Sequence, residues 1–178
     1  MVISKQIKIP SNVTVKLVSS KLVISGPKGL ISLNNNTNFA IQICEEKSSL
    51  IFFSKKREKV NLFNNNYFFS KINNIIKGVS VGFFLEMKLN GVGYRFLSYK
   101  EKELKFKAGF CNDLVYCVPE NVNVFLESPI KLCFYSSDYD LLKKVGAQIK
   151  SLKKPDSYKG KGLSYVLENL VLKEVKKS

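Results

Sequence analysis

Histidine and tryptophan are absent from the 178-residue chain, and arginine occurs only as Arg57 and Arg95. Histidine is the usual general base of hydrolases, the usual activator of a serine or cysteine nucleophile and the commonest metal ligand. Its absence excludes hydrolases of the Ser-His-Asp and Cys-His kinds. We expect no enzymatic activity, no cofactor and no metal site.

Cysteine is scarce and scattered. The four cysteines are Cys44, Cys111, Cys117 and Cys133, and no two of them form a C-x-x-C pair. A zinc site without histidine would need all four thiolates, and four cysteines are too few for a disulfide framework in a chain of this length. The sequence therefore predicts free, buried thiols in a reducing compartment.

Long hydrophobic runs are missing as well. No apolar stretch approaches the roughly 18 residues that span a membrane. Residues 1–10 alternate isoleucine with lysine and lack the apolar block of a signal peptide. Neither a P-loop nor a dinucleotide-binding glycine motif is complete. We expect neither a membrane partner nor a small-molecule substrate.

Positive charge is what the chain has in excess. It contains 29 basic and 14 acidic residues, a net charge of +15, which suggests a polyanionic partner. However, 27 of the basic residues are lysine, and lysine, asparagine, isoleucine and phenylalanine all have AT-rich codons. Because an AT-rich genome would explain the number of lysines, only the positions of the lysines can indicate a polyanionic partner.

The charge is distributed unevenly. Residues 1–81 hold twelve basic and three acidic residues, residues 82–142 hold seven and eight, and residues 143–178 hold ten and three. A solvated lysine face with no partner could produce such a distribution. The composition of residues 153–162 favours a binding segment there instead.

Hydropathy patterns repeat in the two halves of the chain. In each half, short segments alternate apolar and polar residues with the period of strands and are followed by one helical pattern. The first half contains the segments 7–10, 13–18, 21–26, 30–33, 39–44 and 49–53, then a helix from Leu62 with Gly78 as its stop. The second half contains 83–89, 94–99, 104–108, 114–118, 122–126 and 130–135, then a helix capped by Ser137 and Asp138. We interpret this as an internal duplication: an α+β fold of two similar domains, residues 1–81 and 82–178, each an antiparallel or mixed sheet packed against one helix.

The segment 153–162, with the sequence KKPDSYKGKG, combines the features of a phosphate-binding loop. Pro155 stops the preceding helix, while Gly160 and Gly162 can adopt positive φ and allow the backbone to approach a phosphodiester. Its four lysines can contact phosphates, and Tyr158 can pack on a ribose or hydrogen-bond to a phosphate. The alternative is a basic surface loop around a core tyrosine.

The acidic pairs Glu101/Glu103 and Asp138/Asp140 are read as a solvated turn and a helix cap rather than as catalytic carboxylates.

This segment, continued by LSY at 163–165, resembles the signature of the large-subunit ribosomal protein L-six family, and residues 90–95 (NGVGYR) resemble a second motif of that family. The resemblance covers essentially the whole chain. It implies two similar α+β domains and a role as a structural constituent of the large ribosomal subunit. It also implies binding to large-subunit rRNA near its 3′ end, close to the sarcin–ricin loop and the stalk base where translational GTPases dock, and contact with neighbouring large-subunit proteins. By position, the implied RNA-binding residues are Lys153, Lys154, Tyr158, Lys159, Gly160, Lys161, Gly162, Gly91, Gly93 and Arg95.

The chain departs from the family pattern at two places. Ser164 stands where the family often has a basic residue, and Lys153 and Lys154 replace an arginine pair, which keeps the charge but loses the bidentate fork. A free RNA-binding or ribosome-assembly protein is the alternative function. The bias towards lysine favours a mitochondrion as the location, with the cytoplasm of an AT-rich bacterium or a plastid as the alternative.

Overall fold

A computed structural model describes residues 4–18, 21–34, 39–44, 49–54 and 59–174, with side chains described for 6–18, 21–34, 49–51 and 66–174. In this part of the chain there are thirteen strands and two helices. The chain divides into two compact units, residues 1–82 with 137–139 and residues 83–136 with 140–178. The domain boundary after residue 81 stays a prediction.

The first unit contains two three-stranded antiparallel sheets and one helix. Its elements are β1 (Ser4–Lys8), β2 (Thr14–Val18), β3 (Lys21–Gly26), β4 (Gly29–Asn34), β5 (Phe39–Cys44), β6 (Ser49–Ser54) and α1 (Lys59–Ser80). One sheet has the order β1-β6-β5 and the other β2-β3-β4. The strands match the predicted segments closely, except that β1 spans Ser4–Lys8 whereas the sequence predicts a strand at 7–10. The hairpin turn predicted at Ser19 and Ser20 lies outside the described residues.

The second unit repeats this plan and adds one strand. Its elements are β7 (Phe83–Asn90), β8 (Arg95–Lys100), β9 (Glu103–Lys107), β10 (Leu114–Cys117), β11 (Asn123–Ser128), β12 (Lys131–Ser136), α2 (Tyr139–Leu152) and β13 (Gly162–Tyr165). The sheet orders are β11-β12-β7-β13 and β10-β9-β8. Without β13, these orders reproduce those of the first unit, strand for strand. The predicted α+β class with two similar sheet-and-helix halves is confirmed.

The core of the first unit forms where α1 covers the sheets. The helix buries a stripe of apolar residues that includes Phe68, Ile72 and Val79, as the 3.6-residue spacing predicts. A Cβ on Gly26, at the end of β3, would lie 2.6 Å from Val79 Cγ1, so the glycine permits a close approach to the helix. Lys28 donates its backbone N–H to the Val79 carbonyl at 3.0 Å. The turn after β3 is thereby attached to the end of the helix.

The helix α1 does not stop at Gly78. It continues to Ser80, and the chain leaves it through Gly82, whose φ is 89°. The N–H groups of Val81 and Gly82 both donate to the Lys77 carbonyl, at 2.9 and 3.4 Å. Gly82 therefore ends the helix in the manner of a left-handed glycine cap. The prediction of Gly78 as the stop is wrong because the burial of Val79 holds the last turn in helical form.

The core of the second unit lies between its sheets and α2. Leu142, Val145 and Ile149 on one face of the helix are buried, together with Met87 of β7 and Phe134 of β12. Gly146 permits the close approach of the helix to the sheet, since a Cβ there would overlap the Leu85 side chain. Asp138 directly precedes α2, in the predicted N-cap position.

The prediction of buried thiols is wrong for two of the cysteines. Cys133 is buried, but Cys111 and Cys117 are exposed, because Cys111 lies in the bend before β10 and Cys117 on the outward side of that strand. The Cys44 side chain lies outside the described ones. None of the helices in the described part of the chain has the length and apolar character needed to cross a membrane.

Candidate nucleic-acid interface

The basic loop, residues 153–161, connects the end of α2 to β13. The helix ends at Leu152, three residues before Pro155, as expected from the missing N–H of proline. β13 then pairs antiparallel with β7, with Gly162 opposite Asn90. The structure thereby joins the two sequence motifs: the basic loop enters the sheet beside the strand that leads into the turn at 91–93.

Backbone hydrogen bonds fix the shape of the basic loop. Asp156 N–H donates to the Lys161 carbonyl and Gly160 N–H to the Asp156 carbonyl, each at 3.0 Å. The Asp156 carboxylate also accepts from the Lys159 N–H at 3.2 Å, as in an Asx-type turn. At the base of the loop, Leu163 N–H donates to the Lys153 carbonyl at 2.9 Å. The loop is therefore a closed, self-bonded turn.

Gly160 in the basic loop and Gly162 at the start of β13 adopt the positive φ angles that the sequence predicts, 64° and 144°. Both are buried, however, and their missing side chains make room for the chain itself. A Cβ at Gly162 would lie 2.6 Å from the Lys154 carbonyl oxygen, and one at Gly160 would lie 3.3 Å from Leu172 Cδ2. The structure gives both residues a packing role, whereas their contact with a phosphodiester stays a prediction.

The polar side chains of the basic loop point to solvent. Lys154, Lys159 and Lys161 are exposed, and none of them forms an ion pair with any residue that the structure describes. Tyr158 is 54% exposed, so the alternative of a core tyrosine is wrong. Lys153 is half-buried, and its Nζ lies 4.6 Å from the centre of the Phe110 ring, a cation–π contact.

Several lysines elsewhere in the second unit form ion pairs with acidic side chains, whereas Lys100 and Lys144 are exposed and form none with a described residue. Lys105 Nζ lies 3.5 Å from Glu103 Oε2, and Lys107 Nζ lies 3.7 Å from Asp113 Oδ1. Lys131 contacts both Glu86 and Glu127, and these carboxylates raise the pKa of Lys131. The basic loop differs from these positions because it gathers three exposed lysines without such ion pairs between residues 154 and 161.

The second motif forms an exposed turn. Gly91 and Gly93 have φ angles of 141° and 76°, and Tyr94 N–H donates to the Gly91 carbonyl at 3.3 Å. The Tyr94 ring packs against Gly91 and Gly109, where added Cβ atoms would crowd it. Arg95 is exposed but begins β8 and pairs with Lys107, so it belongs to the other sheet of the unit. Gly91 and Gly93 thus lie beside the strand that receives the loop, whereas Arg95 is on a separate sheet.

The two acidic pairs noted in the sequence lie at a hairpin turn and at the start of a helix. Glu101 and Lys102 form the two-residue turn between β8 and β9, with φ angles of 50° and 64°, and Glu103 pairs with Lys105. Asp138 and Asp140 lie at the start of α2. The described residues include no group of three potential metal-ligating side chains.

Sequence reasoning missed several residues that support the loop. Both carboxylate oxygens of Glu168, in the segment after β13, accept a hydrogen bond from Lys150 Nζ, at 2.6 and 2.7 Å, and this hydrogen bonding lowers the pKa of Glu168. Phe110 lies under Lys153, although 43 residues separate them in sequence. No local pattern signals either contact, because each partner comes from a different element.

The duplicated sheet-and-helix fold and the unpaired lysines of the closed loop define a class of protein: an α+β protein that presents a concentrated basic surface on a rigid turn. No protein-family model matches the chain. The large ribosomal subunit protein uL6 of Saccharophagus degradans is 35% identical over 176 residues, covering 99% of this chain and 98% of that protein. The proteins of the same name from Neisseria meningitidis and Xylella fastidiosa are 34% and 32% identical over 96% and 99% of this chain.

The chain belongs to the uL6 family of large ribosomal subunit proteins, the family that the two motifs resemble. The members of this family are structural ribosomal proteins, so the prediction that the chain is not an enzyme is confirmed.

Proposed function

We propose that the protein is held in the large ribosomal subunit by the basic loop, which contacts large-subunit rRNA. The observation that carries this proposal is the contrast within the second unit between paired and unpaired lysines. Lys154, Lys159 and Lys161 are exposed on a self-bonded turn beside an exposed tyrosine. By contrast, Lys105 and Lys107 of the β9 strand form ion pairs with Glu103 and Asp113. Phosphate contacts by lysine supply most of the salt-dependent affinity for RNA.

The resemblance to the family also suggests a position in the subunit. We infer that the second unit and the tail bind near the 3′ end of the large-subunit rRNA, close to the sarcin–ricin loop and the stalk base, with other large-subunit proteins as neighbours. Support for a contact with folded RNA comes from the closed shape of the loop, since a rigid basic turn suits an RNA helix or hairpin recognised through its backbone.

The test is the salt dependence of binding to an rRNA hairpin. Lys159→Ala with Lys161→Ala should weaken binding and reduce the slope of log affinity against log salt by about 0.7 to 0.9 per lost phosphate contact. Lys16→Ala with Lys21→Ala removes the same charge from exposed strand positions of the first unit and serves as the matched control.

The two double variants separate a local contact from the effect of net charge. We expect the control to leave the slope nearly unchanged, because dispersed surface charges are screened over about 8 Å at physiological salt. Equal changes of slope in both variants would show that the loop makes no specific phosphate contacts. Co-sedimentation of the wild type with the large subunit in high salt distinguishes a resident component from a free RNA-binding or assembly protein.

We further propose that the protein works in a mitochondrial ribosome, with a bacterial cytoplasm or a plastid as the alternative. The proposal is supported by the composition, in which lysine outnumbers arginine 27 to 2. The relatives named above are bacterial, which favours the bacterial alternative. Sequencing the rRNA that copurifies with the protein decides between the compartments.

A further inference from the structure

The segment after β13 folds back on the unit, and the Glu168 carboxylate makes several of the contacts that hold it there. Val166 N–H donates to the Glu86 carbonyl of β7 at 3.1 Å, and the chain then turns at Glu168. Glu168 N–H donates to the Tyr165 carbonyl at 3.1 Å, while the Glu168 carboxylate accepts from the Tyr165 N–H at 3.3 Å. The end of β13 is therefore closed by a reciprocal pair of hydrogen bonds.

The same carboxylate reaches the last turn of α2. Lys150 Nζ donates to both Glu168 oxygens, at 2.6 and 2.7 Å, and lies 5.0 Å from the centre of the Tyr165 ring. The side chains of Lys150 and Glu168 are only 25% and 28% exposed. Since charge-assisted, partly buried hydrogen bonds are stronger than exposed ones, Glu168 ties the tail to the end of the helix from which the basic loop starts.

Beyond Glu168 the tail returns to the basic loop itself. Lys173 N–H donates to the Ser157 carbonyl at 2.8 Å. Leu172 covers Gly160, with its Cδ2 3.3 Å from where a Cβ of the glycine would lie. The tail therefore contacts the loop at Ser157 and at Gly160, the two residues that flank Tyr158 and Lys159 in the chain.

We propose that Glu168 is a positioning residue for RNA binding: by anchoring the tail to Lys150, it holds the tail against the loop and thereby fixes the direction of Lys159 and Lys161. This inference rests on the proposed function of the loop. It assigns to an acidic residue, which repels a polyanion, a favourable effect on the binding of that polyanion.

Removing the negative charge of Glu168 should favour RNA binding, whereas removing its anchor to Lys150 should weaken RNA binding. These opposite expectations make the test sharp. Glu168→Gln and Glu174→Gln each remove one negative charge from the tail, and Glu174 is exposed with no ion pair to a described residue. Charge alone would make both variants bind an rRNA hairpin slightly more tightly. We expect Glu168→Gln instead to bind about fivefold more weakly, equivalent to about 1 kcal/mol, whereas Glu174→Gln should bind as tightly as the wild type or tighter.

Hydrogen exchange gives a readout that does not involve RNA. In free Glu168→Gln, the amides of Gly160, Leu163 and Lys173 should exchange faster, while those of β9 stay protected as in the wild type. Glu168→Asp, which keeps the charge, should restore part of the protection. Unchanged exchange at the loop, or tighter RNA binding by Glu168→Gln, would overturn the proposal.

The same measurements separate this proposal from the function on which it rests. Faster loop exchange without weaker RNA binding would contradict the positioning role in binding and also point away from the loop as the RNA contact. If Lys159→Ala with Lys161→Ala then leaves the salt slope unchanged, the proposed function fails. If that double variant weakens binding, only the role of Glu168 fails.

Discussion

Glycines of the two motifs differ in what surrounds them, even where both have a positive φ angle. Gly162 and Gly93 both have positive φ, at 144° and 76°. A Cβ at Gly162 would meet the Lys154 carbonyl oxygen at 2.6 Å and the Pro155 Cα at 2.8 Å, whereas nothing lies within 4 Å of a Cβ at Gly93. The two positions therefore separate the cost of backbone strain from the cost of steric overlap.

We expect Gly162→Ala to destabilise the protein by more than about 2 kcal/mol, because strain and overlap with backbone atoms add. Gly93→Ala should cost only about 1 kcal/mol, the penalty of the left-handed conformation alone. Urea denaturation of the two variants measures both values. Equal losses would mean that the loop relaxes around the new methyl group.

Glu168 makes a prediction about pH. The hydrogen bond from Lys150 lowers the pKa of Glu168 below its ordinary value of 4.5, and a carboxylate with a lowered folded-state pKa stabilises the folded protein above that ordinary value. The contribution should be lost as the pH falls below 4.5 and through the folded pKa. Wild type should therefore be more stable than Glu168→Gln at pH 7, and the difference should shrink towards zero in acid. Thermal unfolding of both proteins from pH 7 to pH 3 tests this; a difference that does not change with pH would contradict it.

Among the elements, β13 connects the candidate interface to the core. The strand was not predicted, and a deletion of residues 153–178 would be expected from the sequence alone to remove only the RNA-binding segment. In the structure this deletion also removes the edge strand of the four-stranded sheet, including Leu163, which is fully buried. Loss of RNA binding after that deletion would therefore not identify the contact residues.

Two leucines near the loop show how β13 contributes to stability. Leu163→Ala should destabilise the protein by about 2–5 kcal/mol, the usual cost of emptying a buried leucine site. Leu167→Ala, only four residues further on, should have little effect, because that side chain is 96% exposed. Chemical denaturation compares them, and a small loss for Leu163→Ala would show that β13 is only loosely attached to the sheet.

On the scale of the whole molecule, the two units carry their positive charge differently. In the first unit Lys8, Lys16, Lys21 and Lys28 are exposed at separate positions along strands and turns. The tight basic cluster at 55–57 lies outside the described residues. In the second unit three exposed lysines without an ion pair to a described residue lie together on one loop, so we expect the second unit to supply most of the affinity for RNA although the first has the larger net charge.

Deletion of residues 1–80 should therefore weaken binding to an rRNA hairpin by less than about tenfold, or roughly 1.4 kcal/mol. Changing Lys154, Lys159 and Lys161 to alanine in the full chain should weaken binding more. Filter binding measures both, with circular dichroism to confirm that each variant is folded. A greater loss from the deletion would show that net charge, rather than the geometry of the loop, determines where the protein binds RNA.

Much of the fold can be predicted from the sequence because it depends on local periodicity. Alternation with period two located the first twelve strands, and the spacing of Leu141 to Leu152 located α2, since one buried face imposes these patterns directly. The order of these elements also revealed the duplication. The two motifs identified the family because they are runs of adjacent residues.

The tertiary structure alone decided the features that depend on residues distant in the chain. β13 is four residues long and has no alternating pattern, so its pairing with β7 depends on the sheet that is already there. Gly82 rather than Gly78 ends α1, because packing of Val79 outweighs the local preference of glycine. The contact of Lys153 with Phe110, the bond of Glu168 with Lys150 and the pairing of hairpin lysines with acids follow the same rule. The sequence determined which residues are basic, but only the fold determined which of them remain unpaired, since an ion pair needs a partner that another element brings within reach.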